Sequence, residues 1–263
     1  MCIRVCSLGS GSKGNCIYVG YGSTHILVDA GLSLKRIEKS LAALGVDPKG
    51  NLSVLVTHEH SDHIKSLAAL YEKYAPKVFV GRGSEAGVTG SVGKVAENFV
   101  YYEMQDFFVG SFTVTPFAVS HDVPCVGYTL SAGGKSVSVV TDIGKITPSV
   151  LKSVTGSDLV VLESNHDVEM LKRNTKYSSF LKKRIASDKG HLSNDDCAET
   201  ACLLAASGTK QIILAHLSEE NNCAELAFET VCKKLESRGY VEGKDVKIDV
   251  AEQNSLTALY EIS

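Results

Sequence analysis

The chain has 263 residues, 44% of them hydrophobic, enough to bury a sizeable core in one domain or two. Its formal charge of −3 gives no overall attraction to nucleic acid, so such a role would need a local basic patch. No apolar run approaches the roughly 20 residues of a membrane span, and the amino terminus lacks the apolar stretch of a secretory signal. Eight cysteines without a C-x-x-C pair then predict a cytoplasmic protein with reduced, buried, structural thiols.

In chain order, "CIRVCSL", "NCIYVG" and "HILVDA" are short β-prone runs separated by the turn chemistry of "GSGSKG" and "YGS". "LSLKRIEKSLAALG" puts Leu34, Ile37, Leu41 and Leu44 on one helical face, with Gly45 as its stop. "LSVLVT" at 52–57 is a buried-strand pattern, and "HIKSLAALYEKY" resumes a helical period. Strands return in "NFVYY", "FFVGSFTVTPFAV", "CVGYTLSAGG" and "KSVSVVTDIG", the last two as a hairpin around Gly133-Gly134. The last third alternates a strand in "SDLVVLES", helical stretches over 167–187 and 194–206, a strand in "QIILAH", a helix over 222–238 and a strand in "VKIDVAE". No linker, low-complexity segment or short repeat interrupts it. Two strand-rich halves, each accompanied by helices, predict an α/β fold: two mixed sheets face to face with helices outside, as one layered domain over 1–263.

The stretch "THEHSDH" at 57–63 crowds three histidines and two carboxylates into seven positions. A buried strand delivers it and a helix follows. His58 and His60 are two apart, so on extended backbone they point the same way, while Asp62 and His63 begin the next turn and can address a second point. A solvated polar loop is the plainer reading. Against it, His121 in "FAVSHDVP", Asp142 in "VSVVTDIG" and His216 in "QIILAHLSEEN" each also follow an apolar strand. Ligand-type residues at several strand ends point to a metal centre. Its mix of imidazole and carboxylate without thiolate suits Zn²⁺, Mn²⁺ or Fe²⁺.

The order "VDAG", "THEHSDH", "SHD", "TDIG", "AHLS" resembles the metallo-β-lactamase fold superfamily over nearly the whole chain. The resemblance implies a four-layer αββα sandwich holding two divalent ions. His58, His60 and His121 would hold the first, Asp62, His63 and His216 the second, and Asp142 would bridge them. Asp29 would orient a ligand histidine or the loop, with a structural turn as the alternative. An aspartate at 142, where the commonest zinc β-lactamases have cysteine, resembles the thioester and phosphodiester hydrolases.

"LESNHD", "KGHLSNDDCAETACLLAASG" and "QIILAHLSEENN" resemble the nuclease branches, including Z-type tRNA 3′-end ribonucleases, where the histidine matching His191 contacts the scissile phosphate. Ser193 or Asn194 would cap the helix that follows. No counterpart of the Z-type tRNA arm is evident. With the opening "SLGSGSKGN" and "ESNHD", the chain most resembles the WalJ/YycJ-like branch of bacterial metallo-hydrolases, described as DNA exonucleases. That resemblance implies attack on phosphorus by a hydroxide shared between the metals, with Asp62, Asp142 and His191 catalytic and nucleic acid, preferably DNA, as substrate. A glyoxalase-type thioesterase on the same centre is the alternative.

Residues 172–189, "KRNTKYSSFLKKRIASDK", hold seven Lys or Arg against one Asp, a net of +6 in a chain of −3. Such local basicity suits phosphate contacts, with Lys172, Arg173, Lys176, Lys182, Lys183 and Arg184 as candidates; a solvated helix is the plainer reading. Only Tyr177 and Phe180 offer aromatic faces there. "GSGSKGN" at 9–15 precedes a strand, so a turn beside the metals, with Ser10, Ser12 or Asn15 at the substrate, fits better than a phosphate loop. Glu163 is a candidate to orient His191. His166 would support the site or meet substrate, and His25 reads as a structural strand residue.

Overall fold

In the computed structural model, which describes residues 1–263, one sheet is laid down from β1 (Ile3–Gly9), β2 (Cys16–Tyr21), β3 (Thr24–Val28), β4 (Leu52–Val56), β5 (Lys77–Gly81) and β6 (Val100–Tyr102). A second follows from β7 (Phe107–Val109), β8 (Phe112–Val119), β9 (Cys125–Ala132), β10 (Lys135–Val140), β11 (Leu159–Glu163), β12 (Gln211–Ala215) and β13 (Lys247–Val250). Then β14 (Tyr260–Ile262) returns to pair with β1. Read from β14 through β1 to β6, and from β7 to β13, each sheet has three antiparallel pairings followed by three parallel ones. The two halves share a pairing plan without sharing a sequence repeat.

The helices are α1 (Leu34–Ala43), α2 (Ser61–Ile64), α3 (Leu67–Tyr74), α4 (Glu85–Val92), α5 (Pro148–Val154), α6 (Val168–Arg173), α7 (Ser179–Ile185), α8 (Asn194–Ala206) and α9 (Ala224–Ser237). The two-residue period of the strands sorts side chains between layers. Ile17 and Val19 of β2 meet Leu159 and Val161 of β11 in the core between the sheets. Tyr18 turns outward to a core shared with Ile37 and Leu41 of α1 and Leu67 and Leu70 of α3. Val160 and Leu162 turn the other way, to Val150 of α5, Ala201 of α8 and Val231 of α9. At roughly 1.5–3 kcal/mol per fully buried side chain, these three apolar layers hold the predicted αββα sandwich together.

Several local expectations change. "KVFVG" forms β5, and α4, α5 and β14 also lacked a clear sequence signal. "FFVGSFTVTPFAV" is a hairpin, β7 and β8, that turns at Gly110 with φ 56°, a conformation glycine adopts without strain. The helical stretch over 167–187 is two short helices because Asp167 and Ser178 each cap their own, accepting from Met170 N and Leu181 N. "HIKSLAALYEKY" likewise divides between α2 and α3. All eight cysteines are free, but Cys223 is exposed and Cys2 and Cys232 only partly buried, so three do not belong to the core. No helix is long and apolar enough to cross a membrane.

Candidate metal centre

The site sits where strands end. β3 runs into Asp29, β4 into Thr57 and His58, β8 into His121, β10 into Asp142 and β12 into His216, while β11 ends on Glu163 itself. Clefts at the carboxyl ends of parallel strands are where α/β sheets bind ligands. Asp29, Asp142 and His216 take φ of 66°, 57° and 57°, and Ala75 is the other non-glycine residue with positive φ. Each such turn costs on the order of 1–3 kcal/mol, which the surrounding sheets must over-determine.

Ligand atoms of His58, His60 and His121 lie within 4.8 Å of one another, as do those of Asp62, His63 and His216 and those of His58, His63 and Asp142. Asp142 joins the groups: its Oδ2 is 3.2 Å from His63 Nε2 and its Oδ1 3.4 Å from His216 Nε2. The histidines are held from behind. His63 Nδ1 donates to Asp29 Oδ2 at 2.7 Å, and His216 Nδ1 to Glu163 Oε1 at 3.0 Å. His121 Nδ1 donates to the Gly190 carbonyl at 3.3 Å. His58 Nδ1 donates to Thr57 Oγ1 at 2.9 Å, and that hydroxyl donates on to Asp29 Oδ2 at 2.8 Å. Asp29 therefore orients two of the histidines as well as turning the chain.

With one ring nitrogen anchored, the other is left facing inward. His58 Nε2, His216 Nε2 and Asp142 Oδ2 are buried without a hydrogen-bond partner. Orphaned polar atoms of this kind are costly unless something meets their lone pairs. Divalent cations would, and a set of imidazole nitrogens and carboxylate oxygens suits them.

Proton affinities differ across the centre. Burial lowers the His58 pKa well below the ordinary histidine value, and the neighbouring His63 charge adds to this. Burial acts the same way on His216, but the Asp142, Asp62 and Glu163 carboxylates outweigh it and push the imidazole up to about 10. Glu163 is fully buried, which alone would raise its pKa; His191 and His216 instead hold the carboxyl below the usual range.

Other expected site residues fall in different places. Glu163 Oε1 accepts from His191 Nδ1 at 2.7 Å, and Oε2 accepts from Ile143 N at 2.7 Å. Ser193 is the N-cap of α8, accepting from Asp196 N, so the cap accounts for Ser193 and leaves His191 on the cleft. Ser10 and Asn15 are buried and cannot be open substrate contacts. Ser10 Oγ accepts from His216 N and donates to Asn15 Oδ1, tying the β1–β2 turn to the opposite sheet; Ser12 is the residue of that turn that lines the cleft. His166 is buried outside the cleft, in a bridge with Ser193. His25 bonds Tyr18 within the first sheet.

The basic run is divided. Arg184 and Lys189 line the cleft, together with Tyr177. Arg173 and Lys176 border a separate surface hollow, where Lys176 pairs with Glu220. Lys172 pairs with Glu169, Lys182 donates to the Lys172 carbonyl, and Lys183 is exposed.

Four contributors escaped the sequence reading although they stand beside residues it singled out. Thr57 links His58 to Asp29. Asp122 faces His60 Nε2 at 3.5 Å and His121 Nε2 at 3.2 Å, and pairs with Arg184. Asn165 donates to the His216 carbonyl at 2.8 Å. Gly31 lies against the Asp62 carbonyl, where any Cβ would overlap it. Adjacency to a ligand-type residue at a strand end was the available signal for Thr57 and Asp122.

Residues 24–217 match the family described as the beta-lactamase superfamily domain. The chain is 36% identical over 260 residues to exodeoxyribonuclease WalJ of Streptococcus pneumoniae serotype 2, covering 97% of this chain and 96% of WalJ. It is 36% identical over 244 residues to exodeoxyribonuclease YycJ of Bacillus anthracis, covering 92% of each. The crystal structure of the metallo-β-lactamase fold protein YhfI from Bacillus subtilis superposes with a TM-score of 0.73 at 15% identity, over 99% of this chain and 100% of that one. The sandwich, the strand-end cluster and these likenesses together assign the chain to the metallo-β-lactamase fold superfamily, in the family that holds WalJ and YycJ.

Proposed function

We propose that this chain is a dinuclear metal-dependent phosphodiesterase that removes nucleotides from DNA ends in the reducing cytoplasm. His58, His60 and His121 would hold one divalent cation, Asp62, His63 and His216 the other, and Asp142 both. When bound, the pair supplies Lewis acidity that acidifies a water and neutralises charge on a phosphoryl oxygen. The observation that carries the reading is His191: a part-exposed imidazole beside Asp142, its Nδ1 locked on buried Glu163, in a cleft that Arg184 and Lys189 also line. The names of WalJ and YycJ support DNA as the substrate.

The chain's own groups then have distinct tasks. Glu163 accepts from His191 Nδ1 and fixes the ring, leaving Nε2 turned to the cleft. Such a group can donate to a phosphoryl oxygen or protonate the departing alkoxide, a contribution of about 10²–10⁴-fold. Asp29, through Thr57 and directly, keeps His58 and His63 from rotating, so their inward nitrogens stay aimed. Arg184 and Lys189 meet the substrate's phosphates electrostatically.

End-labelled duplex DNA and a glutathione thioester, assayed side by side with added Mn²⁺ or Zn²⁺, test the proposal. Hydrolysis of the DNA is expected. Rapid thioester turnover with inert DNA would transfer the centre to the thioesterase class.

A further inference from the structure

α7 contributes no buried side chain to the fold. Leu181, Arg184 and Ile185, spaced to share one helical face, line the cleft together with Tyr177 just before the helix and Lys189 just after it. Phe180, one turn before Arg184, is 78% exposed. A helix with no core to join, an aromatic ring left in solvent, and basic residues turned toward the cleft are poorly explained by folding alone.

The size of the cleft adds a second constraint. It encloses about 220 Å³, less than an ordinary small-molecule pocket, and Asp142 and His191 line it. Such a space suits the backbone of one strand better than a whole base-paired end. If the cut strand enters alone, the base that loses its stacking neighbour needs another surface.

Resting on the DNA reading above, we propose that α7 is a strand-separating wedge. Phe180 and Tyr177 receive the face of the terminal base as it parts from its partner, while Arg184 and Lys189 hold the separated strand's phosphates. Aromatic stacking suits the task because every base has a π face, so the wedge need not read sequence. Charge complementarity favours this occupant through Arg184 and Lys189, the two cations of the segment that line the cleft. Arg184 pairs with Asp122, and a phosphate would compete for that guanidinium.

The test compares full-length wild type with Phe180→Ala and Phe180→Trp, loaded with Mn²⁺. The substrates are a blunt, fully paired duplex, the same duplex with mismatched terminal pairs, and bis(p-nitrophenyl) phosphate. Phe180→Ala is expected to slow the paired end about tenfold, leave the mismatched end and the small diester near wild type, and be rescued by Phe180→Trp. Equal losses on paired and mismatched ends, or no loss on either, overturn the wedge while leaving the nuclease reading intact. Wild-type inertness on both duplexes, with the small diester turned over, overturns both. A dimer in sedimentation that Phe180→Ala dissolves would assign the face to self-association instead.

Discussion

Oε1 of Glu163 lies 2.7 Å from Nδ1 of His191. The same oxygen accepts from His216 at 3.0 Å, so one buried carboxylate holds both a proposed metal ligand and the proposed proton donor. The two rings stack at 5.2 Å, and a disturbance at Glu163 reaches both.

Glu163→Gln keeps the size of the side chain and removes its charge. Groups that hold metal ligands from behind typically matter by about 10–100-fold, and a fall of that order is expected in kcat with little change in KM for DNA. Metal content per chain should fall in parallel, measured by elemental analysis. Unchanged kcat at full metal occupancy would remove Glu163 from the mechanism.

His60→Ala, Asp142→Ala and Asp142→Asn should each reduce hydrolysis to background while the thermal unfolding profile in the absence of metal stays cooperative. The asparagine variant is the cleaner one, because residue 142 has φ 57° and asparagine tolerates that conformation better than alanine. Full activity in any of the three would disprove the assigned centre.

Chelation followed by desalting should abolish activity, and titration with Mn²⁺ or Zn²⁺ should restore it, with two equivalents per chain at saturation. Cation binding should also raise the melting temperature, because it engages the inward atoms that are unpartnered in the folded chain. A chain that remains fully active in the chelator would not be a metalloenzyme.

Metal affinity should depend on pH. In the metal-free chain His216 is raised to about 10, so near neutrality it carries a proton that an incoming cation must displace. Affinity at that position therefore rises with pH, by about tenfold per unit for each proton displaced, and levels off as His216 loses its proton on approaching pH 10. Competition with a fluorescent chelator across this range measures the slope. A flat profile would mean that His216 is not a ligand.

Gly31→Ala tests how tightly the motif is seated. The added methyl would overlap the Asp62 carbonyl, which is backbone and can yield only if the whole 57–63 segment moves. Overpacking of this sort costs about 1–3 kcal/mol, and both the melting temperature and metal affinity should drop. Wild-type values for both would show that the loop shifts freely.

The strands that carry the site were legible because their ends coincide with chemistry. Apolar runs stop just before His58, His121, Asp142 and His216, and each of these residue types is out of place beside a hydrophobic strand unless it has a task. Shorter elements were less visible. β14 has three residues, too few for periodicity to distinguish a strand from a loop, and it gains its strand character by pairing with β1.

What the sequence determined by itself was local: which residues could ligate metal, which strands delivered them, where basic charge collects, and that two layered halves carry the parts. The tertiary structure decided what holds those residues from behind. Ser10 reaches His216 across 206 positions, Asp29 reaches His63 across 34, and Glu163 reaches both His191 and His216. A hydrogen bond is directional and acts over about 3 Å, so its partners are settled only when the sheets have packed and the strand ends have met.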